Sequence, residues 1–266
     1  MRHKRLIIML GVVSLFATLA LALTILLFLR RHYAATLAAK VWPADRFTVG
    51  VVGTEVPGSR TVLLMGDSRM TDWGLPQIEG WRVVNAGLPG ITTAQLVSCC
   101  RTLLDQVRPQ MVVIQIGIND LKLLGVRPDL GEAVTVTCVS NIMAVVSECR
   151  RVGVRVVVIP VWPAGKVTLA RRVVWSDAVD PAVTETNARL QRLLANEEGV
   201  YVADLLLELT HGLSKENCER LYRDTLHLKS ETYVRLSALL AETVKAGMGD
   251  VKETGRPAAA KVFPHP

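Results

Sequence analysis

The longest apolar stretch lies near the amino terminus, where Leu6 to Leu29 contain no charged residue, Asn, Gln or Pro. At ~1.5 Å per helical residue this stretch reaches about 36 Å, which exceeds a hydrocarbon core of ~30 Å. The pattern predicts one transmembrane helix. A cleaved signal peptide is the alternative, because Ala20-Leu21-Ala22 resembles a cleavage site. The apolar region of a signal peptide, however, usually covers only ~7–15 residues.

Basic residues on both sides of the apolar stretch set its expected orientation. They are Arg2, Lys4 and Arg5 before it, and Arg30, Arg31 and Lys40 after it. With the α-amino group, the N-terminal side is slightly more basic, which favours its retention in the cytoplasm. We therefore expect a single-pass membrane protein with a cytoplasmic N-terminus. The bulk of the chain is then periplasmic or extracytoplasmic.

Beyond residue 60, short apolar runs alternate with longer segments of helical periodicity. Five runs are apolar nearly throughout, which is typical of buried parallel strands; they are 61–65, 81–84, 111–116, 154–161 and 200–203. Helical length and spacing occur over 92–107, 131–152, 181–196 and 230–246. Asp180-Pro181 is typical of an N-cap followed by proline at the first helical position. This alternation predicts an α/β fold with a central five-stranded parallel sheet covered on both faces.

Composition adds domain boundaries to this pattern. Half of the residues are hydrophobic, which excludes a disordered chain. We expect an N-terminal anchor with basic flanks over 1–32, a stalk over 33–59 and an α/β domain over 60–246. Residues 247–266 carry Gly, Pro, Ala and mixed charge, and are expected to form a flexible tail.

The net charge of +7 does not indicate a nucleic-acid partner. Five of these charges flank the apolar stretch, and residues 33–266 carry a net charge of only +2. The five cysteines form no C-x-x-C pair, and their number is odd. We therefore expect buried free thiols, with no metal site and no disulfide scaffold.

Polar residues stand where the predicted strands end. They occur in four short segments: Gly66-Asp67-Ser68, Asn85-Ala86-Gly87, Gly117-Ile118-Asn119-Asp120 and, late in the chain, Asp224-Thr225-Leu226-His227. The carboxyl ends of parallel strands share one edge of a sheet, and ligands bind there in open α/β folds. We expect the four segments to meet at that edge.

These residue types fit nucleophilic catalysis on a carbonyl. A serine hydroxyl needs a base, and His227 is a suitable one near neutral pH. Asp224, three residues earlier, can bond the other ring nitrogen and fix the tautomer. The backbone N–H groups of Ser68 and Gly87 and the carboxamide of Asn119 are candidate donors of an oxyanion hole.

The four segments together resemble the sequence blocks of the SGNH hydrolases, also called GDSL-type esterases and lipases. The resemblance covers about residues 60–245. It implies a three-layer flavodoxin-like sandwich with strand order 2-1-3-4-5, and ester hydrolysis through an acyl-enzyme without a metal or organic cofactor. Arg69 departs from the pattern, because an apolar residue is frequent after the nucleophile. Arg69 is therefore a candidate substrate-binding residue, and a surface or salt-bridge arginine is the alternative.

The expected function is a membrane-anchored serine esterase that removes a short acyl group, such as acetyl, from an oxygen of an envelope carbohydrate. A lysophospholipase or thioesterase, and an O-acyltransferase, are alternatives within the same fold. An inactive membrane-tethered binding module is the non-enzymatic alternative. The expected partners are an ester substrate, either a carbohydrate O-acetyl group or a lipid, and the membrane through residues 6–29. Trp73, Trp162 and Trp175 either stack on a sugar ring or pack in the core.

Overall fold

The computed structural model describes residues 2–42, 51–53 and 59–249. Its sheet contains β1 (Val52–Gly53), β2 (Arg60–Gly66), β3 (Trp81–Gly87), β4 (Met111–Gln115), β5 (Arg155–Val158) and β6 (Val200–Val202). The spatial order is β1-β3-β2-β4-β5-β6. Five strands pair in parallel, and the short β1 pairs antiparallel with β3 at one edge. The predicted parallel sheet and its 2-1-3-4-5 order are confirmed.

Helices other than α1 cover both faces of this sheet, and the described residues contain ten α-helices. They are α1 (Arg2–Val41), α2 (Ser68–Trp73), α3 (Thr93–Val107), α4 (Ile118–Leu121), α5 (Gly131–Arg151), α6 (Leu169–Arg172), α7 (Val179–Leu194), α8 (Leu205–Thr210), α9 (Lys215–Glu219) and α10 (Ser230–Gly249), with 3₁₀ turns at Lys122–Gly125 and Pro128–Leu130. Side chains alternate along β2, so Leu63 packs with α3, α5 and α7, whereas Leu64 packs with α2, α8 and α10. The result is the expected three-layer sandwich.

Two expected boundaries differ from the structure. The helix α7 begins at Val179 with Ala178 as its N-cap, so Asp180-Pro181 does not open it. Proline still lies in the first turn, where its missing N–H breaks no intrahelical bond. The expected tail begins inside α10, which runs to Gly249. Residues 250–266, and positions 43–50 and 54–58 of the expected stalk, lie outside the described residues.

The helix α1 continues well beyond the apolar stretch. The side chains of residues 6–29 are exposed almost throughout, and the segment Leu6–Val41 is long and apolar enough to cross a membrane. A signal sequence passes the same test. The segment Pro128–Arg151 also passes it, but α5 contributes buried side chains to the core between the helices and the sheet.

The last turns of α1 are docked on the α/β domain. Leu37 and Val41 are buried in a cluster that includes Ile118 and Leu121 of α4. The hydroxyl of Thr92 donates to the carbonyl of Lys40 at 2.6 Å. The first nine residues of the expected stalk are therefore helical, and one side of this segment packs on the domain through Leu37 and Val41.

This docking predicts unequal effects of two leucine truncations in one helix. Leu37→Ala removes a side chain that is 4% exposed and should lower the free energy of unfolding by roughly 2–5 kcal/mol. Leu21→Ala alters a side chain that is 62% exposed and should leave it unchanged. Thermal unfolding in detergent measures both. Equal melting temperatures for the two variants would contradict the docking.

Candidate active site

Three adjacent parallel strands bring the first three polar segments to one edge of the sheet. In register, Gly66 at the end of β2 lies opposite Gly87 of β3 on one side and Gln115 of β4 on the other. Ser68 begins α2 two residues after Gly66, and Asn119 is the second residue of α4. The sheet therefore places these residues side by side, as the sequence predicts.

The side chains of Ser68, His227 and Asp224 form a continuous chain of contacts. Ser68 Oγ lies 2.9 Å from His227 Nε2. On the other side of the ring, His227 Nδ1 lies 2.8 Å from Asp224 Oδ2 and 3.0 Å from Oδ1. Residues 159 positions apart in the sequence thus meet at hydrogen-bonding distance. The arrangement suits transfer of the serine proton to the imidazole.

Local hydrogen bonds keep Asp224 charged. Partial burial acts to raise its pKa, but several hydrogen bonds outweigh that effect and hold the pKa at about 2. The donors are the backbone N–H groups of Leu226 and His227, at 2.8 and 3.0 Å, and the His227 ring. Asp224 is therefore ionised at neutral pH and can stabilise a protonated imidazole.

The turn that presents Ser68 depends on its two preceding residues. A Cβ at Gly66 would lie 2.2 Å from the carbonyl oxygen of Gln115, so only glycine allows β2 to approach β4 this closely. Asp67 is the N-cap of α2, and its carboxylate accepts from the Arg69 N–H at 2.9 Å. As the first residue of α2, Ser68 has an N–H without an intrahelical acceptor, which makes it a possible donor to a ligand.

Asn119 is held by hydrogen bonds on both ends of its carboxamide. Its Nδ2 donates to the carbonyl of Ile91 at 3.0 Å, and its Oδ1 accepts from Lys122 Nζ at 2.6 Å. Since the amide nitrogen carries two hydrogens, one is left for a ligand. The side chain is thus fixed before any substrate binds.

The N–H group of Gly87, a candidate oxyanion donor, already has a hydrogen-bond acceptor within the protein. Its N–H donates to the side-chain oxygen of Asn85 at 2.7 Å, so an oxyanion would have to share this hydrogen with Asn85. The requirement for glycine comes from α2, because a Cβ at Gly87 would lie 2.5 Å from the backbone nitrogen of Thr71. Its role as an oxyanion donor stays a prediction.

Lys122 is a site residue that sequence reasoning missed. Burial lowers the pKa of its ammonium group to about 8, and the positive charge of Lys40 acts in the same direction. The signal in the sequence is its position three residues after Asn119, a spacing that brings side chains together on a helical turn. Lys122 holds the carboxamide oxygen of Asn119 and brings positive charge close to it.

Asp120 joins α4 to the start of α3. Its carboxylate accepts from the Thr93 hydroxyl at 2.6 Å and the Thr93 N–H at 3.0 Å. Burial raises the pKa of Asp120 to about 7, although the bonds from Thr93 oppose this rise. Asp120 therefore stabilises the turn that carries Asn119. Its side-chain hydrogen bonds go to Thr93, and not to Ser68, His227 or Asp224.

Arg69, the candidate substrate-binding residue, has a fully buried side chain, and its contact with substrate stays a prediction. The guanidinium donates to three carbonyl oxygens: Leu226 at 2.8 Å, Trp162 at 2.7 Å and Pro163 at 3.2 Å. It also lies over the Trp162 ring, 5.9 Å from the ring centre. Arg69 therefore joins α2 to two loops and leaves no charge at the surface.

Two of the three candidate sugar-stacking tryptophans are core residues. Trp73 and Trp162 are buried and pack against each other and Tyr233, with ring centres 5.8–6.2 Å apart. Trp175 is only partly buried and lines a cavity of about 1030 Å³ between the segment after β5 and the helices α8 and α9. Neither Ser68 nor His227 lines this cavity.

Within the described ranges, no group of three or more His, Cys, Asp or Glu side chains is arranged to hold a metal ion. All five cysteines are free thiols; four are buried, and Cys218 is partly exposed.

A Ser-His-Asp contact chain at the carboxyl edge of a doubly wound α/β sheet is typical of hydrolases that form an acyl-enzyme. The chain belongs to the GDSL-like lipase/acylhydrolase family, whose model matches residues 45–235. The resemblance to the SGNH, or GDSL-type, enzymes is therefore confirmed, and the protein is an ester hydrolase. Membership does not itself define the substrate.

Individual relatives are distant. The chain is 33% identical to Esterase TesA of Pseudomonas aeruginosa over 85 residues, which are 26% of this chain and 42% of that protein. A GDSL-like lipase of Bacteroides thetaiotaomicron superimposes with a TM-score of 0.56 at 17% identity, over 82% of this chain and 98% of that one. A carbohydrate acetylesterase of Sinorhizobium meliloti superimposes with a TM-score of 0.52 at 19% identity, over 71% of this chain and 99% of that one. Both solved structures have the same fold as this chain.

The buried position of Arg69 predicts that lysine cannot replace it. A single ammonium group cannot reach three carbonyl oxygens in different directions. Arg69→Lys should therefore lower the free energy of unfolding by on the order of 3 kcal/mol, reduce kcat and lower the melting temperature by several degrees.

Arg192→Lys is the matched control, since the Arg192 side chain is 71% exposed. It should unfold and turn over substrate like the wild type. An Arg69→Lys enzyme with a raised KM and an unchanged melting temperature would instead place Arg69 against the substrate.

Proposed function

We propose that this protein is a membrane-anchored serine esterase that removes a short, acetyl-type acyl group from an oxygen of an envelope carbohydrate. The observation that carries the proposal is the contact chain from Ser68 Oγ through the His227 ring to Asp224, with distances of 2.9 and 2.8 Å. The apolar helix α1 supports anchoring. The basic residues before it support a cytoplasmic N-terminus and an extracytoplasmic domain. A fold neighbour that is a carbohydrate acetylesterase supports the substrate class.

The first half of the reaction acylates Ser68. His227 Nε2 takes the hydroxyl proton while Ser68 Oγ attacks the ester carbonyl, and the ionised Asp224 stabilises the imidazolium. The carbonyl oxygen becomes an oxyanion, which the Ser68 N–H, the free hydrogen of Asn119 Nδ2 and the shared Gly87 N–H stabilise. His227 then protonates the leaving alcohol oxygen, the carbon–oxygen bond breaks, and the acyl group stays on Ser68.

The second half hydrolyses the acyl-enzyme. A water molecule attacks the acyl carbon as His227 takes its proton, and the same donors bind the second oxyanion. Collapse of this intermediate returns the proton to Ser68 Oγ and releases the carboxylic acid. The protein groups supply every proton transfer in this cycle.

A lipid ester is the second candidate substrate, and one observation favours it. The end of α1 packs against α4, which carries Asn119, and Leu226 beside His227 belongs to the same buried cluster. A lysophospholipase would therefore work close to its own anchor. An O-acyltransferase would use the same Ser68 intermediate with a sugar hydroxyl in place of water.

Removal of the nucleophile tests the reaction. Ser68→Ala should lower kcat for p-nitrophenyl acetate by at least about 10³-fold and abolish labelling by a fluorophosphonate, because no acyl-enzyme can form. Ser230→Ala, which changes an exposed hydroxyl on α10, should retain both. Full turnover by Ser68→Ala would refute the proposed nucleophile.

The preferred acyl group is determined by measuring hydrolysis of p-nitrophenyl esters from acetyl to palmitoyl. The wild type is compared with the same two variants. A carbohydrate esterase should prefer acetyl, and its activity should fall steadily with chain length. A maximum at long chains would replace the carbohydrate substrate with a lipid one and leave the serine mechanism intact.

The contact between Lys122 and Asn119 predicts an alkaline fall in kcat near pH 8. Below that pH the ammonium holds the Asn119 carboxamide and adds positive charge near the oxyanion; above it, the charge is lost. Lys122→Met should lower kcat about tenfold at pH 7 and leave KM nearly unchanged. It should also remove the fall in kcat near pH 8. The profile is measured with hydrolysis by Ser68→Ala subtracted.

Unfolding would not account for this fall. Because burial lowers the pKa of Lys122 in the folded state, the folded chain binds fewer protons than the unfolded one just above pH 8. This group therefore makes the folded state more stable as pH rises there. A Lys122→Met enzyme with the wild-type step at pH 8 would show that another group titrates.

A further inference from the structure

The segment between β5 and α7 exposes two large apolar side chains. Leu169, at the start of α6, is 80% exposed, and Val173 is 41% exposed. Exposed leucine and valine side chains close together on one short segment indicate an interaction surface. We define the membrane-facing loop as residues 166–175.

A contact with α1 fixes the height of this loop relative to the apolar helix. Arg30 is the first charged residue after the apolar stretch, and its guanidinium donates to the carbonyl oxygen of Val173. If residues 6–29 lie in the hydrocarbon core, Arg30 lies at the boundary with the headgroups. Val173, and Leu169 one turn before it, then lie at that boundary too.

The charge of the loop fits an anionic lipid surface. Residues 166–175 contain three basic residues and no acidic one; the basic residues are Lys166, Arg171 and Arg172. Arg30 and Arg31 add positive charge from α1 at the same height. Basic side chains around exposed apolar ones are the composition of a surface that binds anionic headgroups and inserts into the interface.

We infer that the membrane-facing loop is a second bilayer contact, in which Leu169 and Val173 enter the headgroup region and the basic residues bind anionic lipids. The inference rests on the proposed membrane anchoring by α1. Two contacts define an orientation, whereas a single helix does not. The docked turns of α1, from Arg30 to Val41, span only about 16 Å of helix, so the site would work near the bilayer surface on an ester held there.

A fluorescent probe at position 169 tests the contact in the full chain. A Cys218→Ser background removes the partly exposed thiol, and the other four cysteines are buried. In vesicles of phosphatidylcholine and phosphatidylglycerol, an environment-sensitive probe on Leu169→Cys should shift to the blue. Spin-labelled lipid should quench it about twofold. Val234→Cys on α10, 72% exposed, is the matched control and should show neither change.

Other outcomes overturn the contact. Emission from position 169 that matches position 234 in wavelength and quenching would show that the loop faces water. A blue shift without lipid quenching, which persists in detergent and grows with protein concentration, would show that a second copy of the chain covers the loop.

Kinetics separate this inference from the proposed reaction. The double substitution Leu169→Glu and Val173→Glu should lower turnover of an ester embedded in anionic vesicles about threefold, because two charges resist entry into the interface. Turnover of soluble p-nitrophenyl acetate should not change. If the double variant turned over both substrates at the wild-type rate, the bilayer contact of the loop would be refuted and the proposed esterase reaction would be unaffected. Lipid quenching at position 169 with no ester turned over would refute the esterase alone.

Discussion

A single buried guanidinium joins the two parts of the chain that carry the reacting groups. Arg69 follows Ser68 directly, and one of its three hydrogen bonds ends on Leu226, the residue before His227. A charge in the interior is tolerated only where its hydrogen bonds are satisfied, so the carbonyl oxygens around Arg69 fix the positions of both segments. The 2.9 Å contact between Ser68 and His227 depends on this arrangement.

The same principle extends beneath the site. Asp67 and Asp120 are fully buried and hold the first turns of α2 and α3 in place. Burial raises the pKa of both carboxyl groups, although Arg69 opposes the rise at Asp67. Water is largely excluded from this layer, so dipoles and charges act strongly on whatever binds above it. The donors at the surface are therefore fixed by polar groups that never touch a substrate.

Much of the fold follows from local pattern. The five parallel strands are apolar nearly throughout because helices cover both faces, and this pattern is visible without coordinates. Ser68, Asn119, His227 and Asp224 stand at strand ends or in one late loop, which is why the sequence places them together. The short helices α2, α4, α6, α8 and α9 are only four to six residues long, too short for a period of 3.6 residues to appear.

Long-range partners account for what the sequence does not reveal. An arginine after the nucleophile appears in a sequence as a surface charge, and only the fold supplies the three carbonyl oxygens that bury Arg69. The same holds for Lys122, whose position beside Asn119 is local but whose burial is not. Residues 33–41 of α1 show no clear period because one narrow side of the helix, at Leu37 and Val41, meets the domain.

The continuity of α1 has a mechanical consequence. No Gly or Pro interrupts the chain between Val12 and Val41, and the structure has one unbroken helix there. A helix without a hinge transmits tilt from one end to the other. If residues 6–29 span a bilayer, a change in the tilt of that segment would therefore rotate the α/β domain docked on the last turns of α1 by a similar angle.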